Sequence, residues 1–89
     1  MAGSGSSAYG NVAIGATAAV LVAARQARES VLIKNNHASQ ILYLGGNSSV
    51  TTSNGLPLAA GESVRVESKN VIYAIASGAS TDVRYFEEF

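Results

Sequence analysis

The sequence predicts an all-β fold, a small antiparallel β-sandwich of about six to eight strands with a flexible N-terminal arm. Three observations predict it. Apolar and polar residues alternate with a period of two in several short segments, most plainly at Ser63, Val64, Arg65, Val66 and Glu67, where the valines point one way and the polar residues the other. Turn formers recur at intervals of roughly ten residues, the spacing expected of a sandwich. A long stretch rich in Gly, Ser, Thr and Asn fills the middle of ILYLGGNSSVTTSNGLPLAAGESVRVES (41–68), too polar for core and too rich in turn formers for helix.

In chain order, residues 1–15 (MAGSGSSAYGNVAIG) read as a flexible arm, since small residues cannot bury enough surface to offset the entropy of ordering them. Such a stretch is either a linker remnant or an arm that orders on a partner. Tyr9, Val12 and Ile14 are the residues it offers for burial, and deletion of residues 1–14 is expected to leave the sandwich of residues 16–89 folded and oligomeric while weakening its attachment to a partner. Residues 16–28 (ATAAVLVAARQAR) are ambiguous between strand and short helix. The β-rich Val20-Leu21-Val22 and the lack of a polar helical face favour a strand over residues 18–23.

Residues 29–35 read as a strand buried on both sides at Val31, Leu32 and Ile33. Asn35-Asn36-His37-Ala38-Ser39 is the turn, and residues 41–44 are expected to return as the second arm of a hairpin. Gly45-Gly46, Asn54-Gly55, Pro57 and Gly61 mark changes of direction along a long, ordered crossover, with residues 50–52 as a short edge strand. Residues 71–76 (VIYAIA) are apolar at both parities and fit a central strand. Residues 81–86 close the domain, with Val83 and Tyr85 on one face and Asp82, Arg84 and Phe86 on the other.

Composition bounds what such a chain can do. Its 89 residues make one domain with a thin core, and the absence of cysteine removes both disulfides and a His/Cys zinc cluster as staples. Charged residues are only 13% of the chain, so part of its surface is expected to be covered by other copies or a partner. A formal net charge of zero gives no overall drive toward nucleic acid or anionic membrane. The apolar run at residues 12–24 is shorter than the about 20 residues of a membrane span, and no positively charged segment of a secretory signal precedes it. Arg25, Arg28 and Lys34, opposite in sign to Asp82, Glu87 and Glu88, are candidate contacts between copies of the chain; the alternative is two ordinary solvated strand edges.

Four pieces, ESVLIKNN (29–36), ILYLGGNSSVTTSNGLPLAAGESV (41–64), VIYAIASGAS (71–80) and TDVRYFEEF (81–89), together resemble the small β-domains of tailed-bacteriophage virion proteins. Such domains occur as capsid decoration (cement) proteins, head fibres and modules of tail or fibre proteins. The resemblance implies a virion structural role, made in the host cytoplasm and carried on the particle. With no shaft or coiled coil attached, a decoration protein is expected, oligomerising as a homotrimer and binding the major capsid protein or another virion protein for capsid stabilisation. The alternative is a fibre-type module recognising a host-surface ligand.

The residues hold little that reads as catalysis. No enzyme, cofactor or metal is expected, and neither nucleic acid nor membrane as partner. His37 is the single histidine and lies in a turn without a ligand set. Glu87 and Glu88 are adjacent on a strand and so point to opposite faces, which makes them poor acid/base partners; both are expected in solvent. The glycines at 45–46 lack the following helix and Lys of a phosphate loop. A planar sugar site needs exposed aromatics with Asp or Asn beside them, and residues 45–60 contain no aromatic. The candidate partner-binding residues are therefore Tyr9, Val12, Ile14, Arg25 and Arg28.

Overall fold

Eight strands, in chain order, are β1 (Ser7–Ile14), β2 (Ala19–Val22), β3 (Ser30–Asn35), β4 (Leu42–Gly45), β5 (Leu56–Leu58), β6 (Ser63–Val66), β7 (Ile72–Ala76) and β8 (Thr81–Glu88). The computed structural model describes residues 7–89, which contain no helix. β1 pairs with β8, β2 with β7, β3 with β6 and β4 with β5, all antiparallel, so the chain doubles back on itself like one long hairpin. Two further antiparallel pairings, β3 with β8 and β4 with β7, roll that hairpin into two four-stranded sheets, β1-β8-β3-β6 and β2-β7-β4-β5. This strand order is that of a jelly roll. Every connection except β4 to β5 passes from one sheet to the other.

Alternation explains which face each strand buries. Val31 and Ile33 of β3, Leu42 and Leu44 of β4, and Ile72, Ala74 and Ala76 of β7 point into the space between the sheets. The register of β2 against β7 shifts between Val20 and Val22, and this bulge allows both Leu21 and Val22 to turn inward. β7 is central in its sheet, flanked by β2 and β4, as its two-sided apolar pattern predicts.

Several expectations are corrected. Residues 7–14 are a strand rather than an arm: β1 runs beside β8 from Ser7 opposite Glu88 to Ile14 opposite Thr81. Its alternation supplies the reason, since Ile14 is fully buried and Val12 packs against the core. The sandwich thus begins by Ser7, and removing residues 7–14 would strip β8 of a partner. The part of the arm at residues 1–6 lies outside the described residues. β3 and β4 do not form a hairpin, because they lie in different sheets. No strand forms at residues 50–52. The short edge strand is β5, and Pro57 is accommodated there because an edge leaves one side of the backbone unpaired.

The middle of the chain is ordered by its own polar groups. The loop at residues 46–55 is a hairpin connection between β4 and β5 within one sheet, closed over the buried Val50. A Cβ at Gly45 would lie 2.6 Å from Cβ of Val50, and one at Gly55 would lie 2.7 Å from Cβ of Tyr43, so both positions exclude a side chain. The backbone N–H of Thr51 donates to Oδ1 of Asn54, and those of Ser53 and Asn54 donate to Oγ1 of Thr51. Gly61, at φ 79°, then turns the chain back into β6 and donates its N–H to the carbonyl of Asn35.

Candidate functional site

The two ends of the sandwich hold its buried polar groups. At one end the guanidinium of Arg28, 0% exposed, is fully enclosed. Its Nε donates to the carbonyl of Ser68 at 2.7 Å, Nη1 to the carbonyl of Ala23 at 2.9 Å, and Nη2 to the carbonyl of Asn70 at 2.6 Å. Nη1 also donates to Oε2 of Glu87 at 2.7 Å, and Glu87 is itself only 2% exposed. Arg25 approaches the other oxygen of Glu87 at 3.5 Å and lies over the ring of Phe89, 5.3 Å from its centroid. At the opposite end Asn35, fully buried, donates from Nδ2 to the carbonyls of Gln40 and Leu58. His37 sits in the adjoining corner, where its Nδ1 accepts from the backbone N–H groups of Ser39 and Gln40.

Between those ends lie two outer sheet faces of opposite character. None of the residues of β2, β4, β5 and β7 is charged. Their outward positions form two transverse rows, Val20–Tyr73–Gly45 and Ile75–Tyr43–Pro57, set by the strand register, with Val50 of the 46–55 loop packed where a side chain at Gly45 would stand. The other sheet carries Lys34, Arg65, Asp82, Arg84 and Glu88 on its outer face, and across it runs one apolar row of Tyr9, Phe86 and Leu32 ending at Arg65. The chain's remaining charges sit in the connections or, for Glu87, in the interior.

The charged face carries two exposed ion pairs within the chain. Arg84 donates from Nη2 to Oδ2 of Asp82 at 2.9 Å, and Arg65 donates from Nη1 to Oε1 of Glu88 at 2.6 Å. Donation by Arg84, and then by Asn36, holds the Asp82 carboxyl below its ordinary pKa of 3.8. A depressed folded value means that its contribution to stability is complete above the unfolded pKa and is lost as pH falls through the folded one. Asp82→Asn is therefore expected to flatten the loss of melting temperature between about pH 4 and pH 2, checked by calorimetry beside the unchanged chain. Because the pair is exposed, the difference is expected to be small.

These placements separate the candidate residues. Tyr9 is exposed on the charged sheet, Val12 is half-buried at its edge, and Arg25 lies at one end of the sandwich. Ile14 belongs to the core and Arg28 to the buried hub, so neither is a surface contact. Of the groups expected to meet between copies, Arg25 and Arg28 meet Glu87 within one chain, Asp82 and Glu88 pair instead with Arg84 and Arg65, and Glu87 is buried rather than solvated. The burial of Arg28 is not legible in the sequence, because an arginine near the end of an apolar run ordinarily reads as solvated. The signal for the uncharged face was present: Tyr73 and Ile75 are apolar at the outward parity of β7. Among the described residues no group of three or more His, Cys, Asp or Glu comes together as metal ligands would. No protein-family model matches the chain, and no curated protein matches it.

Proposed function

We propose that this chain is a structural protein of a bacteriophage virion, a capsid decoration (cement) protein that associates with copies of itself and binds the outside of the head to stabilise it. One observation carries the reading: the uncharged outer face of β2-β7-β4-β5, against a charged face on the other sheet. An apolar sheet face rimmed by polar connections favours contact with another apolar surface, and the same face of a second copy is one such surface. The resemblance of residues 29–36, 41–64 and 71–89 to phage virion β-domains supports the same reading. The jelly-roll strand order is also used by viral capsid domains, as an analogy of fold rather than of site.

Size bears on stoichiometry. Four strands about 4.8 Å apart and about 16 Å long give a footprint of roughly 300 Å². A standard interface buries about 800 Å² per partner. One face-to-face contact is therefore small, so a stable assembly must also bury the connections around that face and contacts to the capsid. The assembly we propose is a homotrimer attached to the major capsid protein or to another virion protein, as the resemblance to phage virion domains implies.

The test separates the two parities of β7. Ile75 points outward and Ile72 inward. Ile75→Arg is expected to leave the circular dichroism spectrum unchanged while converting the trimer to a 9.1 kDa monomer that no longer sediments with empty heads. Ile72→Arg is expected to unfold the chain, because an unpaired buried charge costs several kcal/mol. A wild-type chain that is monomeric by light scattering at micromolar concentration would refute the assembly. So would an Ile75→Arg chain that still assembles.

A further inference from the structure

The outer face of β1-β8-β3-β6 holds a shallow groove of about 450 Å³, inside the range of about 300–1,000 Å³ common for small-molecule sites. Its floor is the row Tyr9–Phe86–Leu32, brought into line by strand register. Tyr9 is 77% exposed and Phe86 43%, and their rings stack with centroids 6.2 Å apart and planes 16° apart. Among the described residues none covers this pair of rings from above. One two-residue step along the strands, about 6.7 Å, lies a polar row of Asn11, Arg84 and Lys34. Arg84 and Arg65 are committed to Asp82 and Glu88, whereas Lys34 makes no ion pair among the described residues.

We propose that this groove binds an acidic glycan, a short chain of pyranose rings bearing a carboxylate. A pyranose presents C–H bonds on its faces and hydroxyls around its rim, which matches an aromatic floor bordered by amide and charged side chains. One ring packs its C–H face over Tyr9 and Phe86. Asn11 meets rim hydroxyls, and Lys34 takes the carboxylate. From Tyr9 on β1 to Leu32 on β3 is two strand gaps, about 10 Å, which is the length of a disaccharide. Single-stranded nucleic acid also stacks on aromatics, but its backbone needs a run of free cations, and this face offers one. The proposal stands apart from the assembly reading, which uses the opposite sheet.

The experiment is a titration of the intact chain with tetragalacturonate, followed by isothermal calorimetry and by amide shifts in NMR. Saturable binding with Kd on the order of 1 mM or tighter is expected, with shifts concentrated at Asn11, Leu32, Lys34 and Phe86. Tyr9→Ala is expected to weaken it by about tenfold or more. Lys34→Gln should weaken it about fivefold and remove most of its salt dependence. The neutral cellotetraose should bind more weakly than the acidic sugar. Shifts that map elsewhere, or no saturation, would overturn the site on wild-type data alone, so folding of the variants is not needed to decide. Equal binding of cellotetraose would overturn the acidic assignment, and tighter binding of oligothymidylate would overturn the glycan. Repeating the titration on Ile75→Arg keeps the two readings distinct, because loss of self-association should leave sugar binding unchanged.

Discussion

Replacing Arg28 by Met is expected to remove about 3–5 kcal/mol of stability, read from the midpoint of urea denaturation. A domain of 89 residues holds only about 5–10 kcal/mol in total, so the variant should be close to unfolded at room temperature. The cost arises because one guanidinium serves four acceptors from three parts of the chain: Ala23 ahead of β3, Ser68 and Asn70 between β6 and β7, and Glu87 on β8. Without it, three carbonyls and a buried carboxylate lose their donor together. Glu87→Gln keeps the acceptor and removes the charge, and should cost less than Arg28→Met. Arg28→Lys retains charge but replaces a planar fork by a point donor that cannot reach all four groups, so it should recover only part of the loss. The double change Arg28→Met with Glu87→Leu removes the orphaned carboxylate and should be more stable than Arg28→Met alone, yet below wild type because the carbonyls remain unpaired. An Arg28→Met chain within about 1 kcal/mol of wild type would mean that this end is held by something else.

Much of this architecture was legible in the sequence. The all-β class, the strand near every turn signal and the central position of residues 71–76 follow from alternation and from Gly and Asn punctuation. The placement of Val83 and Tyr85 on one face of β8, with Asp82, Arg84 and Phe86 on the other, follows from parity alone. What parity cannot show is which sheet a strand joins. Asn35-Asn36-His37 suits a hairpin turn and a sheet-to-sheet corner equally, and the deciding fact, burial of Asn35, is hidden because Asn is itself a turn former. Pro57 was read as punctuation although an edge strand tolerates it. Glycine and alanine beside Tyr9 suggested an arm, but Gly10, Val12 and Ile14 share one parity and Tyr9, Asn11 and Ala13 the other, which is a strand pattern. The groove was invisible because Tyr9, Leu32 and Phe86 are far apart in sequence and only the pairing of β1, β8 and β3 aligns them.

Asn35→Asp, nearly identical in shape, is expected to cost about 3 kcal/mol or more at neutral pH. The side chain is 0% exposed, and its Nδ2 donates to the carbonyl of Gln40 at 2.8 Å and to that of Leu58 at 2.9 Å. Its Oδ1 accepts the backbone N–H of His37 at 3.1 Å. Those bonds join the end of β3 in one sheet to the start of β4 and the end of β5 in the other. A carboxylate would keep the single acceptor role, lose both donors and face two carbonyl oxygens with a negative charge. Burial and those oxygens favour its neutral form, so the folded pKa of the introduced carboxyl would lie above its unfolded value near about 3.9. The penalty is then full above the folded pKa and declines as pH falls through it. Asn35→Asp should therefore recover part of its deficit against wild type between about pH 7 and pH 5, the reverse of the acid loss that Asp82 causes below pH 4. Asn35→Leu carries no charge and leaves all three partners unpaired; it should be destabilised by a similar amount with no such recovery. Urea melts of the three chains at both pH values decide the matter. If Asn35→Asp matches wild type at pH 7, the corner is open to water and the two sheets are held in register by their apolar faces alone.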